Sequence, residues 1–175
     1  MQLSKKIEQT RHYGLEFLTW MLFRSTKGDG VIETSSEKTE VWFEGKVRLV
    51  SPIATKEVDL LKGKTPAHSR EAREALRQGK LLEEAGINLI RDEREWNLTF
   101  NATRWTFSGV KLPAVLQEEE DDRLIERFWL LEELHKAIED LYTAFLEVRL
   151  DSTRWGPELN ALQEWIGAEA EGDGY

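Results

Sequence analysis

The stretch DDRLIERFWLLEELHKAIEDLYTAFLEVR, residues 121–149, decides how the rest of the chain must fold. Leu124, Phe128, Leu131, Leu134, Ile138, Leu141, Phe145 and Val148 recur at steps of three and four, which predicts one α-helix carrying a continuous apolar stripe. At 1.5 Å per residue such a helix is roughly 40 Å long. No Pro or Gly interrupts it, and the acidic run Glu118–Asp122 lies where negative charge meets the positive end of the helix dipole. Leu130, Ala137 and Leu146 widen the stripe, which favours burial against a sheet or several helices over a two-stranded coiled coil. Glu132 and Lys136 form an i,i+4 pair on the wet side. A helix this long needs a partner surface, supplied by the rest of the chain or by a second subunit.

The chain has 175 residues, 40% hydrophobic and 33% charged, enough for one domain with a real core. The absence of cysteine excludes disulfides, thiolate metal sites and a thiol nucleophile. The opening MQLSKKIEQTRH has no apolar signal core, so a cytoplasmic location with no membrane association is expected. The net charge of −9 is unevenly placed. Residues 1–117 hold 19 basic and 16 acidic side chains, whereas residues 118–175 hold 5 and 17. The acidity belongs to the long helix and its flanks, which leaves the first two thirds free to present a basic face.

Ile7 to Phe23 reads as a first helix ending in the turn Lys27-Gly28-Asp29-Gly30. The period then changes to two. Thr39–Phe43, a tight turn at Glu44-Gly45, Lys46–Val50 and Thr55–Leu61 predict a meander of short antiparallel strands. Thr65-Pro66 opens a short helix, Ala67–Gln78, which Gly79 caps. Leu81–Arg91, a turn at Asp92-Glu93, a strand through Trp96, Leu98 and Phe100, and one through Trp105, Phe107 and Val110 make a second meander. After Arg149 a loop leads to Pro157 and a helix from Glu158 to Ile166. The expected fold is therefore α+β: antiparallel meanders packed against a long C-terminal amphipathic helix and an N-terminal helix. Residues 1–166 form a single domain in this reading, and 167–175 an acidic flexible tail.

The stretches EALRQGK (Glu74–Lys80), REW (Arg94–Trp96), GVKLP (Gly109–Pro113) and FWLLEEL (Phe128–Leu134), in this order and spacing, resemble the C-terminal half of the recombination-associated protein RdgC family. The resemblance spans roughly Leu18 to Leu146, and none of its pieces is a catalytic signature. It implies a non-enzymatic, sequence-nonspecific double-stranded DNA-binding accessory protein of recombination, acting as a ring-shaped homodimer and associated with the nucleoid. Lys80 and Lys111 are the positions nearest the family's basic residues. Ser108-Gly109 stands where the family commonly has a basic pair, and Ile125, Glu126 and Arg127 stand where it places aspartates. The family's N-terminal half has no counterpart in these residues, so a protein partner supplying it is a further expectation.

Arg70, Arg73, Arg77 and Lys80 share one side of the short helix, and Lys46, Arg48, Lys56, Lys62 and Lys64 extend the basic surface. Of these, Arg70, Arg73, Arg77, Lys80, Lys46 and Arg48, with Lys111, are the seven nucleic-acid contact candidates, which would grip phosphates without reading bases. Glu71 and Glu74 interrupt them, so an ordinary solvated face is the alternative. Trp129, Leu130 and Trp42 are candidate subunit-contact residues, and Trp96 is expected in the sheet core. Asp92, Glu93 and Glu95, and Glu118–Asp122, would suit a divalent cation in a nuclease, but hairpin turns and helix starts attract acidic residues without chemistry. His12, His68 and His135 lie on separate helices, not at metal-ligand spacing. Neither a metal nor another cofactor is called for. The second functional reading is a small self-assembling or partner-binding scaffold that touches no nucleic acid.

Overall fold

A computed structural model describes the backbone of residues 2–54 and 57–168, and the side chains from His12 onward within those ranges. Ile7's side chain, Thr55, Lys56 and the tail beyond Ala168 lie outside the described residues.

Helix α1 spans Gln2–Lys27 and leads into β1 (Val31–Glu33) and the long β2 (Lys38–Val50). After β3 (Val58–Gly63) and a 3₁₀ turn at Pro66–His68 come α2 (Arg70–Arg77), β4 (Leu81–Arg91), β5 (Arg94–Asn101) and β6 (Thr106–Lys111). Two helices, α3 (Glu120–Arg149) and α4 (Ser152–Gly167), close the chain. The architecture is α+β, with an antiparallel sheet, an N-terminal helix and a long C-terminal helical segment.

All strands join one six-stranded antiparallel sheet, ordered β1-β2-β4-β5-β6, with β3 also on β2. One face, through Val41, Phe43, Ile87, Leu89, Trp96, Leu98 and Phe100, is buried beneath the helices. The other alternates to polar residues facing solvent, as an antiparallel sheet permits. Phe17 and Trp20 of α1 and Phe145 of α3 stack into this core, with ring centroids 5.6–5.7 Å apart. The Trp96 indole N–H donates to the Leu130 carbonyl at 3.1 Å, fixing α3 to β5.

Several expectations are corrected. Lys38–Val50 is one strand and does not turn at Glu44-Gly45. Gly45, at φ +80°, forms a bulge: Phe43 pairs with Ile87 and Val47 with Ala85, so extra β2 residues loop out between them. The bulge presses the Glu44 carbonyl onto Gly86, where a Cβ would collide with it. Ser69, not Thr65, caps α2: its hydroxyl accepts from the Ala72 amide at 3.1 Å, whereas Thr65 makes no such bond. Trp105 sits in the β5–β6 turn at φ +55°, not within the strand. The turn is built by Asn101, whose Oδ1 accepts from the Thr103 and Arg104 amides. The last helix starts at Ser152 and takes in Pro157, because Asp151 caps it by accepting from the Thr153 and Arg154 amides. The Thr153 hydroxyl, which also donates to this carboxylate at 2.6 Å, and then the Thr153 amide hold the Asp151 carboxyl below its ordinary pKa. Among the described residues no helix is long and apolar enough to cross a membrane.

Candidate functional site

The basic candidates do not form one outward stripe. Arg73 turns inward, 9% exposed, with its guanidinium 4.0 Å over the Trp165 ring and donating to the Trp165 carbonyl. Burial, and then the charge of Arg77, push its pKa below the ordinary guanidinium value. Arg77 donates to the carbonyls of Ile166, Gly167 and Ala168, the last at 2.9 Å. One turn apart on α2, the two arginines thus satisfy carbonyls at the end of α4, where the helix dipole is negative.

The remaining candidates have mixed company. Lys80 pairs with Asp59, Lys46 with Glu84 at 2.9 Å and Arg48 with Glu83 at 2.9 Å. Burial would raise the Glu84 carboxyl, but hydrogen bonds from Lys46 and Asn101, with the charges of Lys46 and Arg48, outweigh it and hold the pKa below its ordinary value. Arg70 is exposed in an open groove of about 640 Å³ between β3 and α2, shared with Asp59, Glu71, Glu74 and Lys80. Lys111 lines a shallow hollow with Glu93 and Glu95. On the open sheet face Trp42, Asn88, Asn97 and Lys111 are successive cross-strand partners. Trp42 is 43% exposed and lies against Gly30. No group of three or more metal-ligating side chains converges among the described residues.

One charged residue escaped the sequence reading. Arg91, on β4, is 4% exposed; its Nη1 donates to Asp140 at 2.8 Å and its Nε to Thr39 at 3.0 Å, with Glu37 3.5 Å away. It ties α3 to the sheet. Nothing in the run LIRDEREW marks this arginine as buried, because its partners lie about 50 residues away on either side.

The third surface is the start of α3. Leu130, a candidate contact residue, is buried in the core of its own chain and offers nothing to a partner. Leu124, Ile125, Phe128 and Trp129 are exposed by 53%, 65%, 61% and 40%, although Leu124 and Phe128 belong to the stripe expected inside. The stripe itself explains the difference. From Leu124 to Val148 it takes seven steps over 24 residues, shorter than the 3.6-residue turn, so it winds roughly 120° around the helix. A straight helix on a sheet buries only the part that faces inward. At 100° per residue, the centre of the exposed quartet lies roughly 160° from the inward face through Leu130, Leu134, Ala137, Ile138 and Leu141, with Leu124 nearest to that face at roughly 100°. Arg94 stacks on one edge of this patch, 4.5 Å over the Trp129 ring. On another side the Glu126 carboxylate holds the Leu116 and Gln117 amides at 2.9 Å, folding the 112–119 connection along the helix flank.

No family model, curated protein or solved structure matches this chain. The likeness to the RdgC family therefore rests on the four short stretches and their order.

Proposed function

We propose that this protein is a non-enzymatic scaffold that works by docking another protein chain on the first three turns of α3. The observation that carries the reading is the contiguous exposure of Leu124, Ile125, Phe128 and Trp129 on a helix otherwise seated in the core. Their free surface is on the order of 400 Å², within the size range of functional patches on monomers rather than of scattered surface residues. Five of the seven basic candidates, by contrast, are held by carboxylates or by helix-end carbonyls of the same subunit.

The test is paired capture from a lysate of cells that make the protein, using the parent chain and Leu124→Ser/Phe128→Ser as baits. A protein retained by the parent and lost by the variant supports docking once its purified form binds the parent and not the variant. Identical retention by both baits, with unchanged circular dichroism, removes it.

Duplex DNA binding is the second reading. It is favoured by the resemblance and by Arg70, Lys62 and Lys64, which are exposed and make no ion pair among the described residues. Filter binding at low salt tests it, and no retention of duplex at micromolar protein ends it.

A further inference from the structure

We infer that the occupant of the α3 patch is an amphipathic helix whose apolar stripe is flanked by lysine or arginine, contributed by a different protein rather than by a second copy of this chain. The inference rests on the docking reading and specifies the partner's chemistry.

Two observations carry it. The first is the winding of the stripe. An apolar series repeating slightly under every 3.5 residues is the pattern that a second helix follows by supercoiling around the first, and the sheet cannot follow it. Where α3 outruns the core, its apolar series continues without a surface: Leu124, Ile125 and Phe128 are each more than half exposed.

The second is charge. Residues 118–139 hold nine carboxylates and three basic side chains, net −6. At 100° per residue, Asp121, Glu132 and Glu139 fall on the same outward side as Phe128, and Asp122 beside Trp129. Arg123 and Arg127 fall on the opposite side, in line with the core-facing residues, whereas Lys136 falls on the outward side, which therefore carries four carboxylates and one ammonium. A second copy docked here would bring one predominantly acidic rim, offset only by Arg94 and Lys136, against another, whereas lysines or arginines flanking a partner's stripe would meet Asp121, Asp122 and Glu132. The expected affinity is modest, because the patch is about half of a standard interface per partner.

The test uses the full chain and two fluorescein-labelled three-heptad peptides with the same leucine stripe, one flanked by lysines and one by glutamates. By anisotropy, the lysine-flanked helix should bind at least tenfold more tightly. Leu124→Ser/Phe128→Ser should abolish binding without altering protein charge, and Asp121→Asn/Asp122→Asn/Glu132→Gln should weaken it at least tenfold. Sedimentation velocity should show the parent as a monomer. Equal binding of both peptides overturns the charge assignment and leaves the docking reading standing. A parent dimer that Leu124→Ser/Phe128→Ser dissociates overturns the choice of a different protein. If neither peptide binds and the parent stays monomeric, this inference fails, and the lysate capture decides the docking reading separately.

Discussion

Arg73 is where the phosphate-stripe reading and the structure diverge most sharply, so replacing it separates them. In Arg73→Met the straight side chain keeps the packing of the arginine stem while the charge is removed. Three contributions change. A hydrogen bond from a charged donor to the Trp165 carbonyl, worth about 1.5–3 kcal/mol, is lost. So is the stacking of the guanidinium over the Trp165 ring, about 0.5–2 kcal/mol. Against these, the cation no longer has to be desolvated, an opposing cost visible in its lowered pKa. The net expectation is a loss of about 2 kcal/mol, or a fall of about 1 M in urea midpoint at unchanged slope. Arg77→Met, at an exposed side chain, should cost less than about 1 kcal/mol. Urea titration followed by tryptophan fluorescence measures both. An Arg73→Met variant as stable as the parent, or an Arg77→Met variant that loses as much, would refute the placement of Arg73 as the anchor between α2 and α4.

Trp96→Phe should lower stability by about 2 kcal/mol in the same titration, because the Leu130 carbonyl loses the indole N–H and a void opens between β5 and α3. Gly86→Ala should cost about 3 kcal/mol or more by driving a methyl into the Glu44 carbonyl. Gly45→Ala, where there is open space but φ is +80°, should cost about 1 kcal/mol. Thermal melts of the pair distinguish a steric from a conformational requirement, and equal losses would count against the bulge geometry. The Glu84 carboxyl has a folded pKa below its unfolded value, so its contribution is present above the ordinary glutamate range and disappears as pH falls through the folded pKa. Glu84→Gln should therefore flatten the acid limb of the stability profile below about pH 4.5. An unchanged limb would show that the Lys46–Glu84 pair has no such role.

What could be read from the sequence follows the reach of each interaction. The span of α3 was legible within a residue, and β4 end to end, because unbroken periodicity and the Asp92-Glu93 turn are local signals. The bulge at Gly45 was not. Glu44-Gly45 suits a tight turn as well as a bulge, and the choice is made by β4, which runs past the whole of β2 and offers Gly86 as the gap. Arg73 and Arg77 look alike on a helical wheel, and only the arrival of α4's C-terminus, some 90 residues later, assigns them to capping. The exposed start of α3 lay between these cases. The seven steps over 24 residues were countable, and they imply that a straight helix cannot bury the whole stripe.

The most direct measurement of the central claim is hydrogen–deuterium exchange along the whole chain, with and without the lysine-flanked helix at saturation. The account predicts that added protection is confined to amides of residues 120–131 and their neighbours in the 112–119 connection. Protection concentrated on α2 or on the open sheet face around Trp42 and Asn97, with 120–131 exchanging as before, would contradict it.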